Sequence, residues 1–405
     1  MSRRKLLMTA GTLGVASVTG ITGLAGAQSQ AGEERWRFHT NDVIESSPTI
    51  VGETAYIGSL DGNLYAVETA TGEQRWTFST AGWIESSPAV AQGMVYVGSY
   101  DANVYAVDAT TGEEVWSVWA GRFIRTSPAI AGDTVIFGSI RLTAVDAISG
   151  EEVWSKPGQW DYSSPTVYDD TVFIGSWDHN LHALDVTSGE ERWTFSTGDV
   201  VLSSPTVADD TVYVGSNDDH LYAIDRVSGE QAWSFVTEGS IVSSPTVSGG
   251  TVYIGSNDGH LYAVDADSGE LSWAFPTGGA VLTSATVVGD TVYVGSKDHM
   301  VYAVDASTGE QRWGFETGDG VGSSPTVVEG TLYVGSVDRT LYAIDTGERG
   351  SSQDSRVTLA TLGHHDIANE ATPMPGFQVG GGLAGIGLGA YLLYRRFSTG
   401  ATGER

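Results

Sequence analysis

The chain of 405 residues contains no cysteine. Disulfides, thiolate metal sites, cysteine nucleophiles and a lipid anchor on an N-terminal cysteine are therefore excluded. Basic residues are also scarce, because 20 lysines and arginines stand against 50 aspartates and glutamates, for a formal net charge of -30. Such a charge repels nucleic acid, so no nucleic-acid partner is expected. Nucleophile-elbow, His-Glu-x-x-His and phosphate-loop motifs are missing as well, which argues against a hydrolase.

The acidic excess runs through the whole chain and is not gathered in one tail. Only three lysines occur, namely Lys5, Lys156 and Lys297. In molar salt the Debye length falls to about 3 Å, so an acidic surface is screened while it keeps its hydration. This composition indicates adaptation to a hypersaline environment, and an acidic protein from ordinary surroundings is the alternative.

Both ends of the chain have the features of targeting segments. Residues 1–27 begin with paired arginines and continue through a Gly/Ala/Thr/Leu stretch to a small-residue site at Ala25-Gly26-Ala27, which indicates an export signal. Residues 377–394 form an uncharged, glycine-rich stretch, just long enough to span a bilayer, and Arg395-Arg396 close it. We therefore expect an exported protein on the extracellular face of the cell membrane, with a linker over 346–376 and a transmembrane anchor over 377–396.

Between these segments, residues 33–345 repeat one unit eight times. Each unit contains a tryptophan, a Ser-Ser-Pro-like element, a Gly-Ser pair and a Tyr-Ala-Val-Asp-like segment, with 38 to 40 residues between successive tryptophans. The repeated tryptophans, which we expect to dock each unit onto the next, are Trp36, Trp76, Trp116, Trp154, Trp193, Trp233, Trp273 and Trp313.

Each unit predicts four short strands. Runs such as Thr-Val-Tyr-Val-Gly alternate β-branched or aromatic residues, and Asp-Gly-Asn at 61–63 is typical of a tight hairpin. A period near 40 residues with four strands per unit is the signature of propeller blades. The tryptophan strand at 35–38 precedes the first complete unit and is missing after Asp345, so it completes the last blade. The sequence therefore predicts an all-β, monomeric, eight-bladed propeller of four-stranded blades, closed by its N-terminal strand.

Over residues 33–347 the repeat, with its Gly-Ser-x-Asp-Gly-x-Leu-Tyr-Ala-x-Asp pattern, resembles the PQQ-like (quinoprotein alcohol dehydrogenase-like) propeller repeat. That repeat occurs in alcohol and glucose dehydrogenases, in a lipoprotein of the bacterial outer-membrane barrel-assembly machinery, and in proteins without known activity. The resemblance implies the fold, and a fold by itself does not assign a function.

The two ends also resemble known signals. Arg3-Arg4 resembles the start of a twin-arginine (Tat) signal. Pro375-Gly376-Phe377, followed by an apolar stretch and paired arginines, resembles the PGF-type C-terminal sorting signal of haloarchaea, in which an archaeosortase removes the tail and a lipid is attached. A permanent transmembrane anchor is the alternative for this segment.

Two positions of the repeat differ between its first and second halves. The residues directly before the Ser-Ser-Pro elements are Glu45, Glu85, Arg125 and Tyr162, then Leu202, Val242, Leu282 and Gly322. Two places earlier stand Val43, Trp83, Phe123 and Trp160, then Val200, Ser240, Ala280 and Gly320. Arg122, Arg125, Arg141 and Lys156 add a local basic cluster to the first half, where the hairpin at Ile140-Arg141 is also shortened.

We expect these residues to form a ligand-binding groove at the mouth of the ring, suited to an anionic or planar ligand. The candidate residues are Trp83, Glu85, Arg122, Phe123, Arg125, Arg141, Trp160, Tyr162 and Trp177. The alternative is that the arginines pair with surface acids and the aromatic side chains fill a contact between blades.

The function expected from these features is a non-catalytic binding or scaffold propeller that recognises a cell-surface protein, a glycan or a small anionic molecule. The alternative is a dehydrogenase of alcohols or sugars that depends on PQQ and calcium, in which Trp160 or Trp177 would stack on the quinone. Dehydrogenases of the resembled family carry long insertions and often a vicinal cysteine pair, and this chain has neither. No catalytic residue and no metal ligand can be assigned from the sequence.

Overall fold

Short runs of alternating apolar and polar residues, separated by turns rich in glycine and aspartate, form the whole body of the protein. The computed structural model describes residues 31–352, which contain 32 strands and no helix. The strands make eight antiparallel sheets of four, so the predicted eight-bladed propeller is confirmed.

The first four blades follow the N-terminal strand. In chain order these strands are β1 (Glu34–His39), β2 (Thr49–Val51), β3 (Thr54–Gly58), β4 (Asn63–Glu68), β5 (Gln74–Ser79), β6 (Ala89–Ala91), β7 (Met94–Gly98), β8 (Asn103–Asp108), β9 (Glu114–Trp119), β10 (Ala129–Ala131), β11 (Thr134–Gly138), β12 (Arg141–Asp146), β13 (Glu152–Pro157), β14 (Thr166–Tyr168), β15 (Thr171–Gly175), β16 (Asn180–Asp185) and β17 (Glu191–Ser196). Blade 1 is β2–β5, blade 2 is β6–β9, blade 3 is β10–β13 and blade 4 is β14–β17.

The other four blades repeat the same order. Their strands are β18 (Thr206–Ala208), β19 (Thr211–Gly215), β20 (His220–Asp225), β21 (Gln231–Val236), β22 (Thr246–Ser248), β23 (Thr251–Gly255), β24 (His260–Asp265), β25 (Leu271–Pro276), β26 (Thr286–Val288), β27 (Thr291–Gly295), β28 (Met300–Asp305), β29 (Gln311–Glu316), β30 (Thr326–Val328), β31 (Thr331–Gly335) and β32 (Thr340–Asp345). Blades 5, 6 and 7 are β18–β21, β22–β25 and β26–β29, and blade 8 combines β30–β32 with β1.

The ring closes where the N-terminal strand joins the last blade. β1 pairs antiparallel with β32, with Trp36 opposite Ala343, as the order of the repeats predicts. The ion pair between Arg35 and Asp345, at 2.7 Å, reinforces the same contact. This pairing covers the outer edge of β32 and joins the two ends of the propeller without a disulfide.

The hydrophobic core is distributed around the ring. It consists of eight clusters of buried residues, and each cluster lies between two neighbouring blades. Each repeated tryptophan contacts the following blade: seven indoles donate to a backbone carbonyl of its turn at 2.8–3.0 Å, and Trp313 lies against Gly32. The blades therefore depend on one another for burial.

The export signal, the anchor and residues 353–376 of the linker lie outside the described residues. The beginning of the linker, 346–352, packs beneath blades 7 and 8, where Ser352 donates its N–H to the Val327 carbonyl at 2.8 Å. Glu348 pairs with Arg312 there at 2.8 Å. Within residues 31–352 no helix has the length and apolar character needed to cross a membrane.

Candidate functional site

One face of the ring carries two sets of loops, and we name it the mouth face. The entry loops lead from the outer strand of one blade to the innermost strand of the next, and the second set are the hairpins between second and third strands. Backbone bonds join the two sets, as between the Ile84 N–H and the Ser59 carbonyl at 3.1 Å. Variation at either loop therefore changes the same surface.

The residues before the Ser-Ser-Pro elements converge on the axis of the ring. They line a channel of about 190 Å³, hereafter the throat. Glu45, Glu85, Arg125 and Tyr162 form one side, while Leu202, Val242, Leu282 and Gly322 form the other. The asymmetry that the sequence indicates is thus a difference between two walls of one cavity.

A belt of serine side chains forms the base of the throat. The backbone N–H of the second serine in each element donates to the Oγ of its counterpart in the next blade, at 2.9–3.2 Å. The eight serines are Ser47, Ser87, Ser127, Ser164, Ser204, Ser244, Ser284 and Ser324. The belt closes when Ser324 donates to Ser47, so it holds all eight innermost strands at one radius.

Arg125 is held inside a cage of aromatic residues. Its Nε donates to the Tyr100 hydroxyl, which donates in turn to Glu85. The guanidinium carbon lies 5.2–5.5 Å from the ring centres of Tyr100, Phe123 and Tyr162, within cation–π range. Burial and the bond to Glu85 raise the pKa of Tyr100, so this residue remains a hydrogen-bond donor. Arg125 is therefore fixed in place and is not a free anion-binding group.

Two mouth residues escaped the sequence analysis. Tyr100 and Lys297 both directly follow a Gly-Ser pair, at a position where the repeats also vary. Lys297 extends over Gly320 and brings its Nζ to 4.0 Å from the Glu45 carboxylate. A comparison of the residues after each Gly-Ser pair would have pointed to both.

Two of the predicted site residues, Trp83 and Trp177, are strongly exposed on the mouth face, and Trp119, which was not predicted, is exposed at its rim. Trp83 is 52% exposed and Trp177 is 42% exposed, and Trp119, from the end of an outer strand, reaches 72%. The shortened hairpin adds Ile140 at 41%, beside Gly121. Arg122 lies 4.3 Å above the Phe123 ring. We name the exposed side chains of Trp83, Trp119, Ile140 and Trp177 the tryptophan patch.

Trp83 also forms one side of an open cleft of about 400 Å³ between blades 1 and 2. The rest of the cleft is lined by Leu60, Asp61, Gly62, Thr80, Ala81, Gly82 and Tyr100. An exposed indole beside such a cleft is unusual on a highly charged surface and is typical of an interaction site.

The prediction that Trp160 occupies the mouth is wrong. Its side chain is only 2% exposed and belongs to the core between blades 3 and 4. The backbone N–H of Trp160 donates to the Ser139 carbonyl. The backbone N–H of Ile84 makes the equivalent bond to the Ser59 carbonyl, between blades 1 and 2. Trp160 therefore occupies the buried isoleucine position of the repeat.

The position equivalent to Trp83 is instead held by Gln159, whose carbonyl accepts the Trp177 N–H as that of Trp83 accepts the Tyr100 N–H. The physical reason is a shift inside the entry loop of blade 4. Trp160 follows Trp154 by six residues, whereas Ile124 follows Trp116 by eight. Compared with the other repeats, this loop has two residues fewer before the buried position and one more after it. The loop is therefore only one residue shorter overall, and its length alone does not reveal the shift.

The expected basic cluster is divided among separate partners. Arg122 pairs with Asp161 at 3.7 Å, and Lys156 pairs with Glu191 at 3.0 Å. Arg141 donates to Ser155 on the outer strand of its own blade. These cations are matched by acids or hydroxyls, as the alternative interpretation of the sequence holds.

The comparisons with known proteins agree with the geometry. The family model described as outer membrane protein assembly factor BamB, PQQ_2, matches residues 22–160, 157–279 and 257–364. The chain belongs to this family. No curated protein matches it in a sequence search.

Among solved structures, BamB from Moraxella catarrhalis is similar with a TM-score of 0.67 and 22% identity, over 77% of this chain and 99% of that one. The computationally designed Ika8 protein has a TM-score of 0.69 and 16% identity, over 76% and 97%. Quinohemoprotein alcohol dehydrogenase from Comamonas testosteroni has a TM-score of 0.66 and 18% identity, over 78% and 77%. At these identities the likeness establishes the fold alone.

The throat does not fit the quinone and calcium of the dehydrogenases. Calcium takes six to eight oxygen ligands, and within residues 31–352 no three His, Asp or Glu side chains group as a metal site would need. Trp160 is enclosed in the core, and Trp177, which is exposed on the mouth face, is not among the residues that line the throat. The throat, at about 190 Å³, is also smaller than the roughly 300–1,000 Å³ of typical ligand pockets.

Proposed function

We propose that this protein is a non-catalytic binding scaffold that docks a protein partner on the tryptophan patch of its mouth face. The observation that carries the proposal is the grouping of Trp83, Trp119 and Trp177, all more than 40% exposed, on blades 2–4 of one face. Exposed tryptophans beside a tyrosine and an arginine have the composition of interface hot spots.

Two features support a protein over a small molecule. The patch is spread over the loops of three blades, so a ligand that covers it must be large. The exposed acids Asp178 and Asp199 occupy loops beside it, and they complement a partner with basic residues around an apolar centre.

The position of the first and last described residues also supports the mouth face as the binding surface. Gly32 donates its N–H to the Asp345 carbonyl at 2.8 Å, and Ser352 bonds to Val327, so the first and last of the described residues lie on the face opposite the mouth. An anchor in the C-terminal segment would then direct the mouth face away from the membrane. The proposed location is the extracellular face of the cell membrane, with the anchor retained or replaced by a lipid.

The test is site-specific photo-crosslinking in intact cells that produce the full-length protein. Probes at Trp83, Trp119 and Trp177 should give a discrete protein adduct. A matched probe at Val227, which is 73% exposed on the opposite face, should give none. Alanine at the other two tryptophans should abolish the adduct from the third. Equal adducts from both faces, or no adduct from the mouth face, would contradict the proposal.

A further inference from the structure

The throat joins two walls of opposite character. Leu202, Val242 and Leu282 form an aliphatic wall on blades 5–7, and all three are half-buried. Glu45 and Glu85 face the same cavity from blades 1 and 2. An occupant of this cavity therefore meets hydrocarbon on one side and carboxylate on the other.

The two carboxylates differ in their hydrogen bonds and ion pairs. Glu85 accepts a hydrogen bond from Tyr100 and lies 3.4 Å from the Nε of Arg125. Glu45 accepts no hydrogen bond from any residue in 31–352, and its one ion pair is the 4.0 Å contact with Lys297. Burial, and then the charge of Glu85, raise the pKa of Glu45, and the charges of Lys297 and Arg125 offset only part of this shift.

Glycine keeps the passage between the two walls open. Gly322 stands in the throat between Leu282 and Glu45, and a Cβ there would lie 3.2 Å from the Glu45 Cγ. Any larger side chain at this position would separate the aliphatic wall from the carboxylate. Lys297 reaches Glu45 over the neighbouring Gly320, so the protein itself already directs an ammonium on an aliphatic stem toward this acid.

We propose that the throat binds a lysine side chain presented by the protein partner, with its methylenes on Leu202, Val242 and Leu282 and its ammonium on Glu45. This inference rests on the proposed function, because the tryptophan patch would bring the partner to the mouth. A compact ammonium on a flexible stem suits a cavity of about 190 Å³, whereas a guanidinium seeks a planar, bidentate acceptor. The bound ammonium supplies the charge that Glu45 lacks.

The test uses the full-length protein and isothermal titration calorimetry with Nα-acetyl-lysine N-methylamide. Its neutral match is Nα-acetyl-norleucine N-methylamide, which keeps the aliphatic stem and lacks the ammonium. The lysine derivative should bind once per chain, and the norleucine derivative about tenfold more weakly, the effect of one charge-assisted hydrogen bond. Equal binding of the two derivatives, or no saturable binding of the lysine derivative, would overturn the proposal.

Three variants locate the site. Glu45→Gln should weaken binding of the lysine derivative about tenfold. Glu238→Gln, which changes an exposed acid on the mouth face away from the throat, should leave it unchanged. Lys297→Gln should strengthen it severalfold, because the internal competitor for Glu45 is removed, and a gain in affinity cannot arise from misfolding. Equal effects of the two glutamate variants, or weaker binding by Lys297→Gln, would contradict the assignment.

The two proposals can fail separately. If the lysine derivative does not bind while crosslinks from Trp83 persist, the partner docks without a lysine in the throat. If the derivative binds and no crosslink forms, the throat is an amine site and the protein-docking function is wrong.

Discussion

The contact between each repeated tryptophan and the following blade can be tested at a glycine. Gly150 has a φ of +73°, and a Cβ there would lie 2.9 Å from Cδ2 and 3.1 Å from Cε3 of Trp116. Gly132, in the same blade, has a φ of +60°, and a Cβ there would meet no atom within 4 Å. The pair therefore separates backbone strain from the clash with the indole.

Both Gly→Ala changes incur the cost of a left-handed residue, about 1–2 kcal/mol. Gly150→Ala also forces a methyl group into a packed contact, which adds about 1–3 kcal/mol. We therefore expect Gly150→Ala to lower the free energy of unfolding by about 1–3 kcal/mol more than Gly132→Ala does. The measurement is guanidinium denaturation, with the slopes of the transitions compared before the free energies are subtracted.

A double-mutant cycle then assigns the difference to the tryptophan. In a Trp116→Ala background the indole is gone, so the additional cost of Gly150→Ala should disappear. If the two glycine variants are equally destabilised, or if the difference persists without Trp116, the indole does not pack against the turn as the structure has it.

Four further predictions concern buried and titrating groups. Trp154→Phe should lower the free energy of unfolding by about 1–3 kcal/mol in thermal denaturation, because a carbonyl of blade 4 loses its indole donor at 2.9 Å. Trp160→Phe should lower it less than Trp154→Phe does, because its buried Nε1 has no hydrogen-bond partner within the described residues and only packing is lost. Glu45→Gln should raise the melting temperature at neutral pH, because the raised pKa of Glu45 in the folded state means that its ionisation costs stability. This gain should vanish below about pH 4, where the carboxyl group is protonated in both the folded and the unfolded state. A gain that persists there would refute the reasoning. The Thr187 hydroxyl and a guanidinium hold the pKa of Asp185 far below its usual range, so the ionised carboxylate stabilises the fold and this contribution is lost as the pH falls. Asp185→Asn should therefore lower the melting temperature at neutral pH and make the melting temperature less dependent on pH in acid. An unchanged acid profile would contradict that role.

The fold followed from the sequence because the repeat is strict and each unit carries its own turn chemistry. Where the repeat was broken, alignment by sequence distance failed. Counting three places back from Ser163 assigns Trp160 to the mouth, whereas its burial and its backbone hydrogen bond to Ser139 show that it occupies the core position. When a loop loses residues at one point and gains them at another, the number of residues between two repeat elements does not show which residue occupies which position.

The partners of the charged residues in the mouth could not be predicted from sequence spacing either. Arg125 and Glu85 were both predicted at the site, but their shared partner Tyr100 comes from a hairpin 15 residues after Glu85. Lys297, from a hairpin of blade 7, reaches Glu45 in the entry loop of blade 1 by passing over Gly320. Such pairs depend on which loops the ring brings side by side, which spacing along the chain does not encode.

The sequence by itself therefore determined the number of blades, the strands within each blade and the closure by the N-terminal strand, because period and turn residues are local properties. The tertiary structure decided which variable residues meet: the serine belt, the caged Arg125, the two-walled throat and the burial of Trp160. The physical reason is that a propeller brings equivalent positions of eight repeats to one axis, where contacts between side chains, and not their order in the chain, set the chemistry.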